Sequence, residues 1–124
     1  PVTQRDHDYD RSLMLVSTTD LKGRITYAND AFVAISGFTR EELIGKAHNI
    51  VRHPDMPPAA FDDLWTTLKS GQPWTALVKN RRKNGDHYWV RANATPMTRD
   101  GAVTGYMSVR TKPSDAEVRS AEAL

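Results

Sequence analysis

The sequence contains no cysteine and no long apolar run. Without a thiol the chain cannot form a disulfide, ligate an iron–sulfur cluster through thiolates or use a thiolate in catalysis. No apolar stretch approaches the roughly 20 residues that a membrane-spanning helix needs, and no secretory signal pattern opens the chain. We therefore expect a soluble domain that does not itself insert into a membrane, while the absence of cysteine leaves its compartment open.

A strong charge of one sign is also lacking. The chain has 17 lysine and arginine residues against 15 aspartate and glutamate residues, which gives a formal charge of +2. This balance sets up no field that would attract nucleic acid, so we expect no nucleic-acid partner. The basic cluster at 81–83 lies beside Asn84 and Gly85, and that context predicts a solvated turn.

Motifs of several enzyme classes are missing as well. The sequence has no GxGxxG, no Walker loop and no HExxH. Its 4 histidines are scattered rather than grouped at metal-ligand spacing. No residue is placed as a base for a substrate, so we expect neither an enzyme nor a metal site.

What is present is the pattern of one globular domain. A chain of 124 residues with 39% hydrophobic and 26% charged residues can bury a core. Apolar and β-branched runs at 13–18 and 25–28 flank a polar turn and predict a β-hairpin. A short helix is predicted after Asn29, and a second one after Thr39, whose capping box with Glu42 is a helix-start signal.

The second half of the chain combines one longer helix with strands. Apolar residues from 59 to 68 recur at helical spacing after an irregular stretch at 48–56. Asn-Gly and Asp-Gly pairs predict hairpin turns between three strand-like runs, at 74–81, 87–97 and 102–110. This order predicts an α+β fold, in which a five-stranded antiparallel sheet is covered by short helices that leave a pocket.

The two ends of the chain depart from this pattern. Residues 1–12 are polar and aperiodic, so we expect a mobile arm or a cap. The start at Pro1 and the charged tail at 113–124 indicate a piece of a longer protein, in which the tail leads to a signalling domain. The domain itself is expected at 13–112.

Strand alternation puts Trp74 and Asn80 on one face, with Ala76 and Val78 between them. An amide on an apolar face needs a partner, because an unpaired buried polar group is costly. Asn80 therefore bonds either a ligand that offers both a donor and an acceptor or a neighbouring turn. Trp74 either stacks on a planar ring or fills the core.

A polar group precedes the longer helix, in the irregular stretch. Arg52 suits a pyrophosphate, and His53 can bond or stack on a ligand held by a loop. Alternatively, Arg52 and Asp55 form a loop ion pair, or Asp55 caps the helix. Asn29 has the same two options of helix cap and ligand contact.

Two sets of motifs carry a family resemblance. The run YANDAFVAISGFTREELIGK resembles a segment of PAS domains. The stretches NIVRHPDMPPAAFDDLW and VKNRRKNGDHYWVRAN resemble the N-terminal sensor of bacterial aerotaxis receptors, which is a PAS domain that binds FAD. The likeness covers residues 13–111. It implies a PAS fold that binds FAD and favours Asn80, Arg52 and His53, and less strongly Asp55, as contacts. Helix position adds Trp65 as a wall, and strand faces add Trp74 and Tyr88, the latter as the floor of the pocket. The expected cofactor site is completed by Asn29 and Arg110.

One departure from related domains is informative. Light-sensing flavin PAS domains resemble this chain but hold a reactive cysteine where GKAHNIV has His48. The resemblance thus implies a flavin that forms no thiol adduct. Asn49 replaces the arginine that clamps the flavin phosphate in those domains, which favours FAD over FMN. Arg110 stands where they place a glutamine, so it either senses reduction of the ring or is an exposed arginine at a strand end.

We therefore predict a redox sensor that reports the state of its FAD to a downstream domain. Two alternatives remain open: a haem-binding gas sensor with His53 or His48 as the iron ligand, and a cofactor-free interaction module whose pocket is packed shut. The resemblance further implies HAMP and kinase-control domains in the same receptor, a homodimer, and a cytosolic position beneath an inner-membrane anchor.

Overall fold

The computed structural model describes residues 9–51 and 58–122. Its elements follow the predicted order of two strands, short helices and three strands, with one further helix at the end. They are β1 (Leu15–Thr19), β2 (Ile25–Ala28), α1 (Asp30–Ser36), α2 (Arg40–Leu43), a 3₁₀ turn (His48–Val51), α3 (Pro58–Lys69), β3 (Trp74–Arg81), β4 (His87–Arg99), β5 (Ala102–Thr111) and α4 (Asp115–Glu122). The predicted α+β class is confirmed.

The five strands form one antiparallel sheet in the order β2-β1-β5-β4-β3. The β4–β5 hairpin closes at Asp100 and Gly101, whose φ angles are 52° and 81°. Positive φ at both positions is what a two-residue hairpin turn requires, and Asp-Gly tolerates it. A register shift between Met97 and Thr98 lets the pairing continue to Arg99, two residues beyond the predicted strand end.

The register aligns the inner faces of neighbouring strands. Trp74 opposes Ala94, Ala94 opposes Ser108, and Ser108 opposes Ser17. Directly opposed side chains on antiparallel strands lie side by side on the same face. Because the middle of this row consists of small residues, the centre of the sheet leaves space beneath the covering helices.

The helices α1 and α2 start and stop as their sequences predict. The Asn29 side chain accepts a hydrogen bond from the Phe32 backbone N–H, and α1 ends at Gly37 in the left-handed conformation with φ 76°. The α2 helix carries the full capping box of Thr39 and Glu42. Phe32 is completely buried against the sheet, so α1 supplies one wall of the core.

The basic cluster that connects β3 and β4 is exposed at Lys83, as predicted for a solvated turn, but it also makes contacts with α1 and α2 that were not predicted. Arg82 Nε donates to the Ile35 carbonyl at 2.7 Å, and the Lys83 backbone N–H donates to the Ser36 carbonyl at 2.9 Å. Lys83 Nζ also pairs with Glu42 at 2.5 Å. These donors satisfy the orphan carbonyls at the end of α1, where positive charge is favourable. The hairpin tip is thus docked on the two short helices.

The ends of the described chain also gain structure that the sequence did not predict in detail. The described part of the N-terminal arm acts as a cap, because Tyr9 is buried and its hydroxyl donates to the Trp89 carbonyl at 2.6 Å. In the tail, Ser114 and Glu117 form a capping box that begins α4. No helix within residues 9–51 and 58–122 has the length and apolar character needed to cross a membrane.

Candidate cofactor site

A cavity of about 260 Å³ lies between the inner face of the sheet and the helical side of the molecule. The β-strands contribute alternate residues to its wall, while α3 and the 3₁₀ turn contribute the opposite side. Its wall is polar at one end and aromatic at the other. The lining residues used below are Thr19, Gly23, His48, Trp65, Trp74, Asn80, Tyr106, Ser108 and Arg110.

The polar end is organised around Arg110, which is only 2% exposed. Its Nη1 donates to His48 Nε2 at 2.9 Å, and its Nη2 donates to Ser17 Oγ at 2.9 Å. Ser17 Oγ lies 3.0 Å from His48 Nε2, which closes a triangle of hydrogen bonds. The guanidinium carbon also lies 4.2 Å from the centroid of the Phe32 ring. Arg110 is therefore held rigidly and is not the exposed strand-end residue of the alternative interpretation.

The charge of Arg110 is not balanced by a carboxylate among the described residues. Burial lowers the pKa of Arg110 to about 10, and the nearby Tyr88 and Tyr9 hydroxyls oppose this effect. In addition, Arg110 Nε has no hydrogen-bond partner within the described part of the chain. A buried cation that faces a cavity without a counter-ion favours a ligand that is anionic or rich in acceptors.

His48 is a neutral acceptor in this network. Because arginine only donates, His48 Nε2 must be unprotonated, and the neutral ring carries its proton on Nδ1. Burial of the ring, and secondly the charge of Arg110, lower the pKa of His48 to about 3. The residue as a whole is half-buried, but its ring faces inward and stacks on Phe32 with centroids 5.9 Å apart and planes 7° apart. Its Nε2 is therefore already occupied.

Asn80 lines the cavity beside this network and is 4% exposed. Its register partner Tyr88 is completely buried. Burial raises the pKa of Tyr88 to about 12, while the charge of Arg110 and the Asn80 side chain act in the opposite direction. Asn80 therefore presents an amide to the cavity, and Tyr88 lies behind it.

The aromatic end is formed by Trp65, Trp74 and Tyr106. Trp65 on α3 meets the edge of Tyr106 on β5, with centroids 5.5 Å apart and planes at 71°. The Trp65 ring also covers Gly23, where an added Cβ would lie only 3.1 Å from it. Trp74 packs against both hydrophobic clusters of the domain, a large one that includes Phe32, Val78 and Val90 and a small one formed by Leu68, Ala94 and Tyr106. Its Nε1 donates to Asp63 Oδ2 at 2.8 Å. This end presents flat apolar surfaces to the cavity.

The structure brings together only part of the predicted site. Trp65, Trp74, Asn80 and Arg110 all line the cavity. Tyr88 shares their face of the sheet but lies outside the lining, because it is packed edge-on against Tyr9 at 6.2 Å. Tyr88, a predicted cofactor contact, is therefore not part of the cavity lining.

Asn29 is also placed away from the cavity lining. Its Oδ1 accepts from the backbone N–H groups of Phe32 and Val16 at 2.9 and 3.1 Å, and its Nδ2 donates to the Met14 carbonyl at 2.9 Å. Both ends of the amide are thus used in the fold, and the helix-cap interpretation is the correct one. Arg52, His53 and Asp55 lie outside the described residues, so their assignment as ligand contacts stays a prediction.

Sequence reasoning missed the role of Ser17 and of Thr19, and it considered His48 only as a cysteine replacement or an iron ligand. Ser17 and Thr19 lie on the inner face of β1, which alternation alone would have indicated. What alternation does not indicate is that a serine on β1, a histidine on the 3₁₀ turn and an arginine on β5 meet in one network.

Comparisons with known proteins support the same fold. The family model described as the PAS fold matches residues 25–110. The aerotaxis receptor of Escherichia coli (strain K12) is 59% identical over 123 residues, which are 99% of this chain and 24% of that protein. The nitrogen fixation regulatory protein of Klebsiella pneumoniae is 26% identical over 102 residues, which are 82% of this chain and 21% of that protein. The chain thus spans about a quarter or less of these relatives.

Solved structures align with the chain over most of its length. A light-oxygen-voltage domain from work on a flavin analogue aligns with a TM-score of 0.76 and 22% identity over 89% of this chain and 83% of that chain. The light-state structure of the blue-light photoreceptor Aureochrome1 LOV aligns with a TM-score of 0.74 and 19% identity over 88% and 90% of the two chains. At this level of identity the likeness shows the fold alone.

Proposed function

This chain belongs to the PAS fold family, and from that premise we propose that it is the FAD-binding sensor domain of an aerotaxis-type receptor. In this role it reports the redox state of the cell, and indirectly the supply of oxygen, to a signalling domain of the same protein. The 59% identity to the E. coli receptor supports a sensory rather than an enzymatic role.

The observation that carries the proposal is the buried Arg110, which has no carboxylate partner among the described residues and lines a cavity with flat aromatic walls. A bound flavin supplies a planar ring whose polar edge donates and accepts hydrogen bonds and which takes up electrons. The residues present fit such a group. Trp65 and Trp74 would pack against the ring, the Asn80 amide would satisfy its polar edge, and Arg110 would face its acceptors.

The polar end also suggests how a redox change would act on the fold. A fixed cation in a low dielectric responds strongly to added negative charge in the cavity. A movement of Arg110 towards that charge would weaken its hydrogen bonds to Ser17 on β1 and to His48 on the 3₁₀ turn. The β1–β5 pair and the helical side would then shift relative to each other, which gives a signal without any group transfer.

The haem alternative with His48 as the iron ligand is disfavoured by the contacts of this residue, whereas the version with His53 concerns a residue outside the described part of the chain. His48 Nε2 already accepts from Arg110 and lies within hydrogen-bond distance of Ser17, so binding iron would break both interactions. A cationic neighbour also opposes a metal ion at the same atom. The cofactor-free alternative is disfavoured because the side chains of residues 9–51 and 58–122 leave the cavity open.

We propose further that Arg52 holds the pyrophosphate of FAD, that His53 bonds to or stacks on the cofactor, and that Asp55 makes a weaker contact with it. This assignment rests on the resemblance of the stretch NIVRHPDMPPAAFDDLW to aerotaxis sensors, because the three residues lie outside the described part of the chain. The proposed output partners are HAMP and kinase-control domains of the same receptor, which would work as a homodimer with this domain on the cytosolic side of the inner membrane.

The test is purification followed by an absorbance scan and extraction of the bound cofactor. We expect the two broad bands of oxidised flavin in the blue and near-ultraviolet, and release of FAD rather than FMN on heat denaturation. A Soret band would support the haem sensor. A folded, colourless protein that also fails to take up added FAD would contradict both cofactor proposals.

A further inference from the structure

The indole N–H of Trp74 is held by a residue that does not touch the cavity. Asp63 lies in the middle of α3, on its exposed side, and its Oδ2 accepts from Trp74 Nε1 at 2.8 Å. An indole has a single polar hydrogen and no acceptor, so one partner fixes the plane of the ring. The contact joins α3 to the first residue of β3 across the connection that contains Gly71.

The orientation of the Trp74 ring shapes one end of the cavity. Trp74 lines the cavity and packs against both hydrophobic clusters of the domain. It is also only partly buried, so packing alone does not fix its rotamer. A hydrogen bond to a carboxylate is stronger than one between neutral groups and is directional.

We propose that Asp63 is a positioning residue, whose carboxylate fixes the plane of the Trp74 indole and so sets the aromatic end of the cavity before a ligand enters. The inference concerns the orientation of Trp74 and rests on the proposed function only for its consequence, which is tighter flavin binding. A wall held in place in advance costs less conformational entropy when a planar ligand binds.

Three substitutions test this inference. Asp63→Leu removes the acceptor while keeping the size of the side chain, and Asp63→Asn removes the charge but keeps an acceptor oxygen. Asp62→Leu is the matched control, because Asp62 is the neighbouring exposed aspartate of α3 and the structure records no hydrogen bond from it to the described residues.

The first measurement is a ¹H–¹⁵N correlation spectrum of the flavin-free protein, in which the 3 tryptophans give separate indole signals. The Trp74 signal is the one that disappears in Trp74→Phe. We expect that signal to move in Asp63→Leu and to stay in place in Asp62→Leu. An unmoved signal in Asp63→Leu would overturn the inference, whether or not the protein binds flavin.

The second measurement is the affinity of each folded variant for FAD. We expect about fivefold weaker binding in Asp63→Leu, since one hydrogen bond of ordinary strength is lost. Asp63→Asn should bind close to the wild-type affinity. A moved indole signal with unchanged affinity in Asp63→Leu would reduce Asp63 to a structural residue and overturn its positioning role. Wild-type protein that binds no flavin would overturn the proposed function, while the indole signal would still decide the hydrogen bond.

Discussion

At one end of the cavity Arg110, His48 and Ser17 are joined by hydrogen bonds of 2.9 to 3.0 Å. At the other end Trp65 meets Tyr106 edge-on, and Trp74 packs against the same hydrophobic cluster. The polar end buries a cation that no carboxylate among the described residues neutralises. The aromatic end buries apolar surface, and the indole N–H of Trp74 at this end has a hydrogen-bond partner.

The difference indicates which end is built for folding and which for a ligand. Packing of aromatic rings stabilises the folded chain whether or not a ligand is present. A buried unpaired cation does the opposite, because its desolvation is repaid only when a complementary group arrives. We therefore expect substitutions at the polar end to separate ligand binding from stability, and substitutions at the aromatic end to affect both.

The largest effect on binding is expected from Arg110→Met. The variant removes the cation but leaves Ser17 able to donate to His48, so the remaining pair stays satisfied. Loss of a charge-assisted contact should weaken FAD binding about 100-fold. The free energy of unfolding of the flavin-free protein should stay within about 1 kcal/mol of wild type or increase, because a desolvated charge is gone.

Two measurements check the Arg110 prediction, namely titration with FAD and chemical denaturation of the flavin-free protein. Arg110→Lys is the control, since it keeps the charge but loses the planar fork that reaches Ser17 and His48 together. A large loss of stability with unchanged flavin affinity in Arg110→Met would mean that the cation serves the fold, and the comparison of the two ends would be reversed.

A smaller effect on binding, combined with a loss of stability, is expected from Trp74→Leu. The ring belongs to both hydrophobic clusters, so truncation leaves a cavity and should lower the free energy of unfolding by about 2 kcal/mol. Loss of the stacking surface should also weaken FAD binding about tenfold. Trp74→Phe is the companion variant, because it keeps an aromatic ring for stacking but loses the N–H that bonds to Asp63. Unchanged affinity in both variants would assign Trp74 to the core alone.

His48→Gln should change the pH dependence of stability more than it changes binding. The pKa of His48 falls from 6.5 to about 3 on folding, so between these values the unfolded chain binds one proton more than the folded chain. The wild-type free energy of unfolding should therefore fall as the pH drops below 6.5, by up to about 1.4 kcal/mol per pH unit. Glutamine keeps an acceptor and does not titrate, so its profile should be flatter.

Denaturation series between pH 7 and pH 5 test the His48 prediction. Folding lowers the pKa values of Asp20 and Glu42 from 3.8 and 4.5, so their contributions to stability change with pH only below this range. Parallel profiles for wild type and His48→Gln would mean that the imidazole is not shielded by the polar end. In that case Arg110 would be more accessible to water than the structure indicates.

Features that depend on neighbouring residues could be predicted from the sequence, whereas contacts between distant residues could not. The Thr39–Glu42 capping box and the Asp100–Gly101 turn are local signals, and each produced the predicted element. The faces of Trp74 and Asn80 follow from alternation in one strand. By contrast, the network of the polar end joins residues that are 31, 62 and 93 positions apart, and strand alternation carries no information on such pairs.

The errors have equally specific causes. Tyr88 has the right face but packs edge-on against Tyr9 and not along the cavity, since alternation gives the side of a sheet and not the contacts made there. The docking of the basic cluster was missed because the carbonyls that Arg82 and Lys83 satisfy belong to α1, about 47 residues earlier in the chain. The tail helix was missed although Ser114 and Glu117 carry the capping-box spacing.

The smallest effect on binding is expected from Asn29→Ala, which tests the boundary of the site. Asn29 caps α1 and bridges to β1 through Val16, so its loss should lower the free energy of unfolding by about 1 kcal/mol. Its side chain does not line the cavity, so the affinity for FAD should be unchanged when measured on fully folded protein. Asp30→Ala is the control, because the neighbouring carboxylate is 98% exposed and its pair with Arg40 should contribute only a few tenths of a kcal/mol. A selective loss of flavin affinity in Asn29→Ala would place Asn29 in the cofactor site and support its alternative role as a ligand contact.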